Sequence, residues 1–457
     1  MNCNINSIHT LTTWKLLSFS IFGSTFYAFA FLISVLGPVS YIENVFGQQQ
    51  QEVESSNSCI RYDSEEKIIT ITCKSANLTD IDTFLKDPNI LHKEIAVEDD
   101  GDAGHVWLLN AGIEVAQDAL LYINSTDTSW LKISPEETTT IANGIQVHGS
   151  LKIDSVKISS WDQEKDDYVE FEVLHKPREE GVKTDYDTVA RPYIRIESDA
   201  TGTTNITNSE LAYLGYEEED DNHGRSGLLY YGGDGSMVKG NHIHHLRMGF
   251  YSSGVGNVVL EDNHVHHNYM YGFDPHTGTH DMIIRNNIVH DNGAMGIICS
   301  LDCYNILIED NEVYNSFGSG IMFSRNMYDS VARNNYVHNE DQCIFVSASH
   351  NNQVLNNTVS NCGNGIYLRS DSSNNNIYDN SIKNTEKGLL INTGASDNNF
   401  KTNTIINATE LGISENEDAG SDNTFADNTL ISAKLSDAEE EEDFDDEEED
   451  EGPDDQD

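Results

Sequence analysis

Apolar and polar positions in the second half of the chain repeat over a long period. Nine asparagines mark it, Asn241, Asn263, Asn287, Asn311, Asn335, Asn357, Asn380, Asn403 and Asn428, at steps of 22, 24, 24, 24, 22, 23, 23 and 25 residues. Two residues after most of them stands a β-branched residue: Ile243, Val265, Val289, Val313, Val337, Val359, Ile382 and Ile405. A glycine comb follows at Gly249, Gly272, Gly296, Gly320, Gly365, Gly388 and Gly412, with Cys343 where one glycine is missing. Each member of that comb precedes an apolar residue, and a third apolar position (Ile284, Ile308, Val354, Phe400) comes just before the next asparagine. Every unit thus offers three short alternating strands separated by Asn, Gly, Asp and Ser corners. A unit of this length cannot bury its own apolar face and must stack on its neighbours. The pattern predicts an all-β solenoid, a right-handed parallel β-helix, with coils about 4.8 Å apart. Corner asparagines are expected to bond to backbone.

The division of the chain follows from where this pattern holds. Residues 191–436 are expected to form the β-helix. Residues 49–190 are read as an N-terminal β-rich cap with irregular first coils, because a solenoid must cover its open end. Within it, Ser75–Asp87 is helix-like, and Cys59 and Cys73 bracket a hairpin-like segment suited to a disulfide. Cys299, Cys303, Cys343 and Cys362 are read as small core or corner residues. Residues 1–48, with the apolar run Trp14–Ile42, are read as a signal peptide or an N-terminal membrane anchor. The expected location is therefore secreted or cell-surface, and a monomer is expected. Glu217–Arg225 interrupts the first coils as a long loop.

Charge narrows the partners. The formal net charge is -51. Residues 437–457 hold 16 of the 77 acidic residues and no base, and are expected to form a disordered acidic tail. An acidic body argues against nucleic acid, and against membrane contact other than through the N-terminal segment.

One coil departs from the repeat. Between Asn263 and Asn287 the chain reads Tyr271-Gly-Phe-Asp274-Pro275-His276-Thr-Gly-Thr-His280-Asp281. Phe273 keeps the inward place, so Asp274 and His276 are expected on the outer side of the strand. Pro275 removes a ladder donor, which suits a local bend. A tyrosine, a carboxylate and an imidazole held on one rigid face meet the requirement for positioned acid–base chemistry.

These residues resemble the signature of mannuronan (alginate) C-5-epimerases. The resemblance spans roughly residues 104–345, through Val106-Trp-Leu-Leu-Asn110, Asp127-Thr-Ser-Trp-Leu131, Glu210–Tyr216, Met248-Gly-Phe-Tyr-Ser252 and Asp281–Asn287. It implies a β-helix enzyme that removes the C5 proton of mannuronate and returns one to the opposite ring face. On the matching positions His276 is the base, Tyr271 the opposite-face donor or a ring-positioning group, and Asp274 the residue that orients the histidine or bonds substrate. The uronate carboxylate must be neutralised by a cation. Where the periplasmic branch carries arginine this chain has Leu301, and Arg325, one coil further on, matches a second basic position. Lys239, Arg247, Tyr251 and His290 complete the expected substrate-binding set. No cofactor is required, although Asp/Asn corners offer oxygen donors for Ca2+, and the partner is an anionic polysaccharide. The same site would serve a polyuronate lyase, and a non-catalytic carbohydrate-binding β-helix stands as the alternative of another class.

A second group is the histidine column His244, His266, His290 and His338, flanked by His242, His245, His264 and His267. It is read as an exposed polar ladder. Groove lining and Cu or Zn binding are alternatives, the coils also resembling copper-linked periplasmic β-helix proteins.

Overall fold

The structure, a computed structural model, describes residues 58–94, 105–135, 143–170, 190–216 and 225–433. The expected export segment, the acidic tail and most of the 217–225 loop lie outside the described residues. The described chain winds into a right-handed parallel β-helix of about 12 turns with almost no helix. Its strands form three long sheets. Sheet one has 14 strands and runs from Ile60–Asp63 through Phe273–His276 to Leu411–Glu415. Sheet two has 12 strands and includes Met237–Lys239 and Ile283–Arg285. Sheet three has 14 strands and includes His242–His244, His264–His266 and Ile288–His290.

The predicted columns are real registers. In sheet three Ile243 pairs with Val265, Val265 with Val289, Val289 with Val313 and Val313 with Val337, and all five side chains are fully buried. Sheet one stacks Phe250 on Phe273, Phe273 on Ile297 and Ile297 on Ile321 in the same core. Each such side chain contributes roughly 1.5–3 kcal/mol by leaving water, so three per coil hold one turn to the next. The glycine comb follows from this closeness. A Cβ at Gly272 would stand 2.5 Å from the Gly296 carbonyl oxygen and 2.5 Å from Val289 Cγ1, inside any permitted contact.

Corner asparagines fix the register. The Nδ2 of Asn311 donates to the Ile284 carbonyl at 2.9 Å and to Asn335 Oδ1 at 3.0 Å, while its Oδ1 accepts from both the backbone N–H and Nδ2 of Asn287. The same pattern repeats from Asn241 to Asn428. Each buried amide is thereby satisfied by the coil before and the coil after.

The N-terminal region is more regular than its sequence suggests. Ile60–Asp63 and Ile68–Ile71 form the expected antiparallel hairpin, closed by the Cys59–Cys73 disulfide. Helix Leu78–Leu85 is capped by Asn77, which accepts from the Asp80 N–H while Asp80 accepts from the Asn77 N–H. Ile68–Ile71 already pairs in parallel with Gly112–Val115, which pairs with Gly144–Val147, so stacked coils begin well before residue 191. Longer connections between these strands hide the period from sequence. Cys343 and Cys362, read above as small core or corner residues, are joined in a disulfide that ties one coil to the next. Cys299 and Cys303 are free and buried.

Replacing Asn311 by Ala should strand two neighbouring amides and cost on the order of 1–3 kcal/mol. Asn428, on the last rung and only partly buried, should tolerate the same change at under half that cost. Chemical denaturation of the two variants checks the order, and equal losses would remove the ladder from the account.

Candidate functional site

The strand Phe273–His276 lies on the outer face of sheet one's middle. It pairs residue by residue with the preceding coil: Tyr251 with Asp274, Ser252 with Pro275, and Ser253 with His276. Towards the next coil only Phe273 with Ile297 and His276 with Ser300 pair, so the ladder is open at Pro275, which has no N–H to give. After the strand the backbone turns through Thr277 (φ 35°) and Gly278 (φ 71°). The His276 carbonyl accepts from the Thr279 N–H at 3.2 Å and from Thr279 Oγ1 at 2.8 Å, which pins the end of the strand.

His276 is held in one tautomer. Its Nε2 lies 3.0 Å from Arg325 Nη2, and a guanidinium can only donate, so Nε2 is the lone-pair nitrogen. Its Nδ1 lies 2.6 Å from Thr277 Oγ1 and carries the hydrogen. The imidazole is therefore neutral, with its basic nitrogen pointed at the cation. Arg325 comes from two coils further along, at a left-handed corner (φ 53°). It reaches back over the small Ser300, whose Oγ accepts from Nε at 2.8 Å.

Beneath this pair sits Asp274, 2% exposed. Its Oδ1 is buried with no hydrogen-bond partner among the described residues. Burial pushes the Asp274 carboxyl well above the usual carboxylate range, against the pull of Arg325. Burial thus favours the protonated form of this carboxyl, and its Oδ1 is idle among the described residues. Tyr251 stacks beside His276, ring centroids 5.7 Å apart, and burial raises its phenol, keeping it protonated. Tyr271 is half-buried and touches two apolar clusters of the outer face.

One of those clusters escaped the sequence reading. Ile298, Met322, Phe345, Tyr367 and Leu390 follow Asp274 along the outer face and are nearly covered. Phe345 and Tyr367 stack at 4.9 Å, and the Arg369 guanidinium lies 5.0 Å from the Phe345 ring. The signal was present as three successive apolar residues, Ile-Met-Phe at 321–323 and Ile-Phe-Val at 344–346, where one outward position should be polar. Flat apolar rings with a cation beside them suit the faces of sugar rings carrying carboxylates.

The expected set divides. Tyr251, Tyr271, Asp274, His276 and Arg325 belong to the same outer face of sheet one. Arg247 is buried, its Nη1 on Ser226 Oγ at 2.6 Å. Lys239 lies on sheet two, paired with Glu261 at 3.0 Å and Asp262 at 3.4 Å. His290 lies on sheet three, stacked between His266 and Tyr314. Lys239 and His290 are near the site in sequence, but the corners of the coil turn them onto other sheets, while Arg247 stands just before the sheet-one strand Met248–Ser253 with its side chain buried.

A family model described as right-handed β-helix region matches residues 194–301, 226–382 and 298–435. Among solved structures, the periplasmic alginate epimerase AlgG aligns with a TM-score of 0.62 and 19% identity, over 79% of this chain and 85% of its own. The A-module of Azotobacter vinelandii mannuronan C-5 epimerase AlgE6 aligns with a TM-score of 0.50 and 15% identity, over 73% of this chain and 89% of its own. A comparison with curated protein sequences gives no match. At these identities the likeness is one of fold.

Because burial raises the Asp274 pKa above its unfolded value of about 4, stability falls as pH rises above the unfolded value. Asp274→Asn should therefore raise the unfolding temperature at pH 8 and change it little at pH 4. Equal effects at both pH values would show that the carboxyl is ionised in the fold.

Proposed function

This chain belongs to the right-handed β-helix family, and on that scaffold we propose an enzyme that moves a proton at C5 of a uronate residue in an acidic polysaccharide. Mannuronan C-5 epimerisation is the reaction the residues fit best. The observation that carries the reading is the 3.0 Å contact between the Arg325 guanidinium and the lone-pair Nε2 of His276, on the strand that also carries the buried carboxyl of Asp274 with its unpartnered Oδ1.

A C5 proton is removed only if charge flowing into the uronate carboxylate is stabilised as it forms. In this reading the substrate carboxylate displaces Arg325 from His276 and takes its bidentate guanidinium, for which carboxylate is the better acceptor. Asp274, protonated, donates its O–H to the same carboxylate, worth most in the transition state. Nε2 is then free to take the C5 proton. The electron pair passes into the carboxylate, and a proton returns to C5 from the opposite face, the role given to Tyr271. Tyr251 shapes the His276 side. The strip from Ile298 to Leu390, ending at Arg369, carries further sugar residues of the polymer. An overall acidic chain can serve such a polyanion because Arg325 and Arg369 are focused on one face. The AlgG and AlgE6 titles, an alginate epimerase and a mannuronan C-5 epimerase, support the substrate class. The Cys59–Cys73 and Cys343–Cys362 disulfides support export to an oxidising compartment.

The test is exchange at C5. Wild type in heavy water should place deuterium at C5 of polymannuronate, read by NMR. His276→Ala should lower the rate at least ~100-fold, and Arg325→Ala should lower kcat by roughly 10²–10³. No incorporation by wild type into polymannuronate or polygalacturonate would end the proposal. An unsaturated product would move the chemistry to β-elimination.

A further inference from the structure

Sheet three carries a patch of imidazoles that takes no part in the site above. Strand pairing sets His242 beside His264, and His244 beside His266, which is beside His290. The rings stack almost flat: His242 on His264 at 5.2 Å, His244 on His266 at 5.3 Å, His266 on His290 at 5.0 Å. At the adjoining corner His245 stacks on His267 at 5.4 Å. Glu210 borders the patch at one end and Asp291 at the other.

The rings are also joined edge to edge by nitrogen. His242 Nε2 lies 2.6 Å from His266 Nε2, His264 Nε2 lies 2.7 Å from His290 Nε2, and His266 Nδ1 lies 2.7 Å from His267 Nδ1. A neutral imidazole has one N–H and one lone pair, so every such contact holds one shared proton between two nitrogens. The carboxylates orient the chain: Asp291 Oδ2 takes the Nδ1–H of His290 at 2.7 Å, leaving Nε2 to accept from His264. Nitrogens gathered this closely form a donor set in which a cation can replace shared protons.

We propose that His242, His264 and His266 bind one divalent transition-metal ion, zinc or copper(II), on the outer face of sheet three. One ligand atom of each lies within 4.8 Å of the others, and none of the three side chains is buried. Metal–nitrogen bonds of about 2.0–2.1 Å place three ligands roughly 3.3 Å apart, within reach of small ring rotations from the present spacing. Three imidazole nitrogens select a borderline ion over Ca2+ or Mg2+, which take oxygen. Three protein ligands leave a fourth position open to water. Asp291, by holding His290, and Glu210, by holding His244 at 3.2 Å, keep the flanking rings in place, as outer carboxylates do around metal-binding histidines. The patch is on a different sheet from His276, so the proposal stands whether or not the polysaccharide reading does.

The test uses the metal-stripped full chain titrated with zinc chloride, and separately with copper(II) chloride, by calorimetry. The expected result is binding of an ion with a Kd in the micromolar range or below, and a copper(II) spin-resonance spectrum split by imidazole nitrogen. The double variant His242→Gln, His266→Gln should bind at least 100-fold more weakly, and His350→Gln, in a separate stack, should bind as wild type does. If the double variant loses its strand circular dichroism, His264→Gln replaces it, with the same expected loss. No binding by wild type, or undiminished binding by a folded variant of the three ligands, would leave the patch a hydrogen-bonded ladder and overturn the proposal.

Discussion

One contact recurs through the molecule and everything else depends on it: a corner asparagine that bonds one coil to the next. Aliphatic columns supply most of the energy, but they are nearly indifferent to a slip of one column against another. The asparagine is not indifferent, because its amide must find both a carbonyl and the next amide. A buried amide left short of a partner costs about as much as the net gain of one or two hydrogen bonds. Register is therefore enforced by polar groups in a core whose cohesion is apolar. With the coils locked, positions separated by some fifty residues become neighbours to within a hydrogen bond.

The site on sheet one uses that property. His276 and Arg325 are 49 residues apart in the chain and 3.0 Å apart in space. Their contact sets a cation against the lone pair of a base. Asp274 adds a second tension: a carboxyl whose burial disfavours ionisation, with an oxygen left without a partner among the described residues. A buried polar group left unsatisfied in a well-ordered fold calls for an explanation, and a catalytic role is one of them. The backbone around them is anything but loose, tied by Thr279 and by complete pairing to the preceding coil.

How far the sequence could be read depended on whether spacing carried the information. The asparagine comb gave the coil length, and from it the inward place of Phe273, the outward places of Asp274 and His276, and the two-coil distance to Arg325. Where spacing failed, the reading failed with it. Lys239 and His290 lie within forty residues of Asp274, but corners rotate them onto sheets two and three. Ile298, Met322 and Phe345 escaped the reading because it followed the inward column, and an outward apolar residue shows only as a run of three such as Ile-Met-Phe at 321–323. The Cys343–Cys362 disulfide joins a position of the glycine comb to one that belongs to no comb, so spacing does not bring them together. Coils before residue 191 were read as irregular first coils of a cap, because uneven connections blur the period there.

The separation of the two sheets has a consequence for how such a chain can change. A solenoid grows or shrinks by whole turns, through duplication or loss of some 24 residues. A turn inserted between Leu301 and Arg325 would carry the guanidinium one coil spacing, about 4.8 Å, from His276 and break the pair. The same insertion would leave the imidazole patch whole, since all its histidines lie earlier in the chain. Each face thus has its own stretch of sequence in which length is constrained, and those stretches overlap only between residues 251 and 290.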